Sequence, residues 1–109
     1  MEPNESLQRF RAHPRALELF DLAVADLNPL IEQPVLFRLI SQQFASADSI
    51  AANIEEGYGR RSRKGYAQFL VIARGSAQET AGRYRRLKHW LPQTGWKLAL
   101  FCAMKSLPF

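Results

Sequence analysis

The chain of 109 residues has one cysteine, two histidines and no long apolar run. Its single thiol, Cys102, cannot form an intramolecular disulfide, which excludes a secreted module built on disulfides. No stretch approaches the roughly 20 apolar residues that a membrane-spanning helix needs. Residues 1–6 lack the basic and apolar regions of a secretory signal. We therefore expect a cytoplasmic protein that has no membrane segment.

The residue sets on which enzymes and metal sites depend are also missing. His13 and His89 have no H-x-x-x-H or C-x-x-C companion, so the sequence predicts no metal site. The run Gly57-Tyr58-Gly59 follows a predicted helix, whereas phosphate-binding glycine loops follow a strand. No set of nucleophile, base and oxyanion donors is evident. We expect no catalytic residues, no cofactor and no small-molecule substrate.

Alternating apolar and polar residues, the pattern of a strand, are absent, and apolar residues recur instead every three or four positions. The pattern predicts one all-α domain over residues 1–109, with a flexible lead-in at residues 1–13. Helices are expected at about residues 14–27, 34–56, 63–91 and 95–107. The last of these is apolar on almost every side, which requires burial against the bundle or against another subunit.

Three of the predicted helices have a defined apolar face. In the first helix it comprises Leu17, Phe20, Val24 and Leu27. In the second it comprises Leu36, Ile40, Phe44, Ala47, Ala51 and Ile54. In the third it comprises Tyr66, Phe69, Leu70, Ala73, Ala77, Thr80, Tyr84, Leu87 and Leu91.

Local signals mark the junction of the second and third helices. Glycine after Glu56 can adopt the left-handed conformation that terminates helices. Ser62 is the predicted N-cap of the third helix. Gly75 and Gly82, inside that helix, each cost about 1 kcal/mol against alanine. They indicate either close approach to another helix or local weakness.

Two runs carry a family resemblance. Residues 47–62 read A-D-S-I-A-A-N-I-E-E-G-Y-G-R-R-S, and residues 69–79 read F-L-V-I-A-R-G-S-A-Q-E. They match the pattern S-I-x-x-N-I-x-E-G-x-G-R-x-S followed by F-L-x-I-A-x-G-S-x-x-E. Over about residues 15–91 the chain resembles the four-helix-bundle family of 23S rRNA intervening-sequence proteins.

The resemblance implies an up-and-down antiparallel four-helix bundle that assembles into a ring-like homopentamer with a basic surface. It also implies a relation to the accessory proteins of diversity-generating retroelements, and hence an RNA or DNA partner. Two features depart from the family pattern. Gly65 replaces the usual acidic residue of a capping box, and the fourth helix is shorter than usual.

Charge is divided unequally along the chain. Residues 1–59 contain four basic and nine acidic residues, whereas residues 60–109 contain eleven basic residues and one acidic residue, Glu79. This asymmetry favours an anionic partner for the second half, or the acidic half of a neighbouring subunit.

The basic residues of the second half form the candidate nucleic-acid site. They are Arg60, Arg61, Arg63, Lys64, Arg74, Arg85 and Lys88. At about 100° per residue, Arg63, Arg74 and Arg85 drift only about 20° per step and lie roughly 16 Å apart along the helix. Such a ridge could follow phosphates. A solvated helix flank, or pairing between subunits with acids such as Glu18, Asp21 and Asp26, is the alternative.

Six further residues near this junction have two readings each. Tyr58 and Tyr66 could stack on unpaired bases, although Tyr66 also fits the apolar face. Asn53, Glu56, Ser76 and Glu79 are better explained as a buried hydrogen-bond or salt-bridge network than as catalytic groups.

The sequence therefore predicts a non-enzymatic oligomeric module that binds RNA or single-stranded nucleic acid through a basic ridge. The alternative is a protein-protein adaptor whose basic half meets an acidic partner surface.

Overall fold

The computed structural model describes residues 12–60 and 62–92, and this part of the chain is almost entirely helical. It contains three α-helices: α1 (Ala12–Leu27), α2 (Phe37–Tyr58) and α3 (Arg63–Leu87). No strand occurs in these two ranges, which confirms the all-α class. The predicted fourth helix at residues 95–107 lies outside the described residues, as do residues 1–11 of the predicted lead-in.

The helix ends differ from the predicted ones by a few residues. α1 already includes Ala12 and His13, which were assigned to the lead-in. Short 3₁₀ turns at Asn28–Leu30 and Pro34–Leu36 connect α1 to α2, so the first turn of the predicted second helix is 3₁₀ rather than α. α3 ends four residues before the predicted end at residue 91.

The three helices run up, down and up, with α2 at the centre. His13, at the start of α1, contacts Glu55 near the end of α2 at 2.9 Å. Along α2 and α3, Gln43 reaches Thr80 and Ser49 reaches Ser76, so residue numbers on one helix rise as those on the other fall. Both pairs of successive helices are therefore antiparallel.

The buried face of α1 agrees only in part with the predicted one. Leu27 is buried and Phe20 packs partly buried against the core, as predicted. Leu17 and Val24 are 45% and 40% exposed, whereas the core face consists of Ala12, Ala16, Leu19, Ala23 and Leu27. Alanine carries little hydrophobic area, so a sequence pattern gives it little weight, but its small side chain lets two helices approach closely. The larger side chains of Leu17 and Val24 lie on the side of α1 that faces away from the core.

The predicted faces of α2 and α3 are confirmed. The buried core of α2 includes Ile40, Ala47, Ala51 and Ile54, and that of α3 includes Ala73, Ala77, Tyr84 and Leu87. Gln43, Ser46, Thr80 and Arg83 are buried among them, which brings polar atoms into the α2–α3 contact. Among the described helices, none has the length and apolar composition needed to cross a membrane.

The glycines do not have the conformations and contacts that the sequence predicts for them. Gly59, after the end of α2, has a φ of −74°, so no left-handed residue terminates that helix there. Gly57 is buried, and a Cβ atom on it would lie 2.8 Å from the Cβ of Phe69. At Gly75 an added Cβ would meet nothing within 4 Å, so close helix approach does not explain that glycine.

Asp26 links the C-terminal end of α1 to α3. One of its carboxylate oxygens, Oδ2, is enclosed without a hydrogen-bond partner among the described residues. Burial raises the pKa of Asp26, and the nearby Tyr84 hydroxyl acts in the opposite direction. The ionised carboxylate is therefore held in a place that favours its neutral form.

We expect Gly57→Ala to destabilise the protein by about 1–3 kcal/mol, because the new methyl group overpacks the α2–α3 contact. Gly75→Ala is the matched control, since alanine there gains about 1 kcal/mol of helix propensity without a clash. Urea unfolding followed by circular dichroism measures both changes. Equal effects of the two substitutions would contradict the close approach at Gly57.

We expect Asp26→Asn to raise the melting temperature at neutral pH. The folded pKa of Asp26 is raised, so the stability that protonation contributes is fully present below the unfolded pKa and is lost as pH rises through the folded pKa. The advantage of asparagine should therefore shrink as pH falls toward the ordinary aspartate value of 3.8.

Thermal unfolding between about pH 7 and pH 4 checks this dependence on pH. Asp21→Asn, at an exposed carboxylate of the same helix, is the matched control and should change little. A lower melting temperature of Asp26→Asn at neutral pH would show that the carboxylate stabilises the fold.

Candidate nucleic-acid interface

The first turn of α3 sets the geometry of the basic cluster. Ser62 caps the helix as predicted, because its Oγ accepts a hydrogen bond from the backbone N–H of Gly65 at 3.1 Å. A Cβ atom on Gly65 would lie 2.9 Å from the Cβ of Arg60 and 3.0 Å from Ser62 Oγ. Because glycine has no side chain, Gly65 lets the Arg60 side chain pass across the N-terminal turn of α3.

Arg60 is held from two sides. Its Nη2 donates to Glu56 Oε1 at 2.8 Å, and its guanidinium carbon lies 4.9 Å from the centre of the Phe69 ring. Both members of this ion pair are about half exposed, so the pair contributes little to stability. It fixes the position of the guanidinium at the α2–α3 junction, where its outer side remains open to solvent.

Arg63 and Lys64 are exposed in the first turn of α3, which contains no acidic residue. The N-terminus of a helix carries a partial positive charge, and cations there cost about 0.3–1 kcal/mol each. The same end of the helix attracts anions, since its backbone N–H groups lack partners within the helix. Arg63 and Lys64 therefore lower the stability of the first turn of α3, and they make the α2–α3 junction strongly positive.

The predicted ridge continues along α3. Arg74, Arg85 and Lys88 are exposed, as Arg63 is, and the spacing of eleven residues keeps the three arginines on one side of the helix. Arg61, the remaining member of the predicted set, lies outside the described residues. We call the exposed set Arg60, Arg63, Lys64, Arg74, Arg85 and Lys88 the basic surface.

Two tyrosines lie beside the junction and are partly buried. Burial raises the pKa of the Tyr66 hydroxyl, and the Tyr58 hydroxyl raises it further. Tyr66 also packs near Gly57, at the close approach of α2 and α3. Its position on the predicted apolar face is thus consistent with the structure, and neither ring is fully open for stacking on a base.

The sequence predicts a polar network between the second and third helices. The structure contains such a network, but some of its residues are not the predicted ones. Ser76 does bond to Ser49 at 2.8 Å, and Asn53 donates to Ser49 Oγ at 2.9 Å. Glu56 does pair with an arginine, Arg60, as the predicted salt-bridge network required. Glu56 and Glu79 are exposed, however, so the prediction that they are buried is wrong.

The member of this network that the sequence analysis missed is Arg83. It is only 8% exposed, and its Nη1 donates to Gln43 Oε1 and Ser46 Oγ, each at 2.9 Å, and to the backbone oxygen of Gln42 at 3.3 Å. Thr80 Oγ1 bonds to Ser46 Oγ at 2.8 Å, which completes the link between the helices.

The sequence contained a signal for this placement. Arg83 follows Ser76 by seven residues and Thr80 by three, so all three lie on the same side of α3. Arginine in a basic run is ordinarily assigned to the surface, which is why the signal was overlooked. Burial lowers the pKa of Arg83, as does neighbouring Arg86, while Glu79 opposes them. Arginine stays protonated nonetheless.

The exposed basic residues and the buried Arg83 lie on opposite flanks of α3. One flank exposes cations and can bind phosphates by charge, and the other encloses an arginine among hydroxyl and amide groups. No group of three or more His, Cys, Asp or Glu side chains in residues 12–60 and 62–92 is placed to hold a metal ion.

Comparison with known families now decides the assignment. The sequence model of the 23S rRNA-intervening sequence protein family matches residues 14–90. The chain belongs to this family. A search of curated proteins and a search of solved structures each found no match.

The matched region extends from the first turn of α1 to just beyond the end of α3. The two runs that carried the resemblance, residues 47–62 and 69–79, include the junction between α2 and α3, and the hydrogen bond between Ser49 and Ser76 joins them. The matched region thus includes the packing interface and all six residues of the basic surface.

Proposed function

We propose that this chain is a non-enzymatic, oligomeric subunit that binds RNA or single-stranded nucleic acid through the basic surface. The observation that carries the proposal is the exposed cations at the α2–α3 junction, where the first turn of α3 has two basic residues and no acid. The name of the family, which refers to ribosomal RNA, supports a role connected with nucleic acid.

Geometry supports contact with a phosphate backbone rather than with base edges. Arg63, Arg74 and Arg85 are about 16 Å apart along the helix, so they can reach separate phosphates, about two or three nucleotides apart on an extended strand, but cannot converge on one base. The partial burial of Tyr58 and Tyr66 limits stacking on bases. We therefore expect weak sequence preference and a strong dependence on salt.

Exposed apolar side chains support the oligomeric part of the proposal. Leu17 and Val24 lie seven residues apart on the outer side of α1, and Val35 and Phe37 near the start of α2 are 79% and 67% exposed. Large apolar side chains left exposed to water favour burial against another protein surface. A homo-oligomer would provide that surface, and the pentamer implied by the family resemblance is one such assembly.

The proposal is tested by the affinity for a single-stranded RNA oligonucleotide as a function of salt. The logarithm of the binding constant should fall linearly with the logarithm of the salt concentration. In the triple variant Arg63→Gln, Arg74→Gln and Arg85→Gln, the slope should decrease by about 2, since each phosphate contact on a single strand contributes about 0.7.

Arg38→Gln serves as the control, because Arg38 is an exposed arginine of α2 outside the basic surface. Its slope should equal that of the wild-type protein. Absence of binding at low salt, or an equal loss in Arg38→Gln and in the triple variant, would overturn the proposal.

An adaptor role is the alternative, and one observation favours it. Glu18 and Asp21 are exposed on α1, so the chain carries an acidic surface as well as a basic one. Under this alternative the basic surface of one subunit meets the acidic α1 of its neighbour, or an acidic surface of another protein. Complementary surfaces of this kind fix the register of association.

We expect the double charge reversal Arg74→Glu and Arg85→Glu to leave the solution mass of the assembly unchanged if the basic surface binds nucleic acid. If it instead joins subunits, the reversal should dissociate the assembly, because like charges then face each other. Size-exclusion chromatography with light scattering measures the mass, and Arg38→Glu controls for the change in net charge.

A further inference from the structure

A polar groove lies along the α2–α3 contact, on the flank of α3 that faces away from the basic surface. Its volume is about 290 Å³. Its polar lining comes from Gln42, Ser46, Ser49, Ser76, Glu79 and Arg83. The proposed function makes no use of this groove.

Arg83 is fixed in the groove with one edge of its guanidinium unused. The three hydrogen bonds from Nη1 hold the group in place. Nε is enclosed without a partner among the described residues, and the hydrogen bonds of the guanidinium to these residues all come from Nη1, not from Nη2. These two nitrogens lie on the same edge of the planar guanidinium, and their parallel N–H bonds match two oxygens of a carboxylate or a phosphate.

Ser49 offers a third donor. Its Oγ accepts hydrogen bonds from Asn53 Nδ2 at 2.9 Å and from Ser76 Oγ at 2.8 Å. With both bonds accepted, the hydroxyl hydrogen of Ser49 has no acceptor among the described residues and is available to a ligand in the groove. Its partners hold the oxygen in position, so little side-chain entropy is lost on binding.

Glu79 is the acidic residue that lines the groove. It is exposed and makes no hydrogen bond or ion pair with the described residues, yet it is close enough to Arg83 to raise that group's pKa. Its carboxylate stands one helical turn before Arg83. Its negative charge repels an anion in the groove, and binding at the enclosed Nε requires a local rearrangement of the lining.

We propose that this groove binds one oxyanion, the carboxylate or phosphate group of a small molecule, on the Nε–Nη2 edge of Arg83 with the Ser49 hydroxyl as an additional donor. An unpaired donor edge on a buried, rigidly held arginine is costly to maintain, because the lost hydrogen bonds to water are not replaced. A bound oxyanion replaces them.

The test is a titration of isotope-labelled protein with sodium phosphate and, separately, with sodium acetate, at constant ionic strength maintained by sodium chloride. The signals observed are the side-chain Nε–H of Arg83 and the backbone N–H of Ser49 and Ser76. We expect saturable shifts with phosphate or acetate and none when chloride alone is varied. Shifts that do not saturate, or that chloride reproduces, would overturn the proposal.

Variants assign the binding to the groove. Arg83→Lys keeps the charge but loses the paired donor edge, so the affinity should fall at least tenfold, corresponding to about 1.4 kcal/mol. Arg86→Lys, at an exposed arginine of the same helix, is the matched control and should bind as the wild-type protein does. Equal affinity of Arg83→Lys and wild type would contradict the proposal.

Two milder variants keep the test decisive even if Arg83→Lys fails to fold. Ser49→Ala should weaken binding severalfold because one donor is lost. Glu79→Gln should strengthen it severalfold because a repelling charge is removed. If neither affinity changes, the groove is not the binding site. Loss of binding in Glu79→Gln would also contradict the proposed role of Glu79.

This inference and the proposed function fail separately. Arg83→Lys should leave the affinity for RNA and its salt dependence unchanged, and the triple variant of the basic surface should retain the phosphate or acetate shift at Arg83. If an RNA oligonucleotide displaces phosphate from Arg83, the oxyanion belongs to the nucleic acid, and the assignment to a small molecule is overturned.

Discussion

The structure depends on the contact between α2 and α3, and in particular on the hydrogen bonds buried within it. Gln43 and Ser46 on one helix meet Thr80 and Arg83 on the other, and each polar atom left unpaired by a shift would cost about 1–3 kcal/mol. A shift of α3 along α2 by one helical turn would also move Phe69 away from Gly57, where the two helices approach closely. Polar pairing and close packing therefore select the same register.

That register decides the chemistry of both flanks of α3. Because Arg83 is committed to the contact with α2, the residues about half a turn around the helix from it, Arg74 and Arg85, are directed to solvent. One flank becomes an open row of cations and the other a groove with a rigid guanidinium. Three arginines on a single helix thus acquire two different roles from packing alone.

The junction between the helices connects this packing to the basic surface. Gly57 allows α2 and α3 to approach, and Gly65 allows Arg60 to cross the start of α3 and stack on Phe69. A side chain at either position would displace a neighbour that the junction requires. Close approach thereby explains Gly57, which belongs to the family pattern, and Gly65, which departs from it, since neither adopts a left-handed conformation.

The sequence by itself determined the helical class, the apolar faces of α2 and α3, the cap at Ser62 and the exposure of most of the basic surface, because these follow from local periodicity and from charge. Tertiary structure decided the rest. The sequence could not show that α1 buries alanines instead of Leu17 and Val24, since both stripes have helical spacing and the choice depends on how closely α2 approaches. Nor could it separate Arg83 from its exposed neighbours, because the burial of an arginine depends on acceptors some forty residues away along the chain.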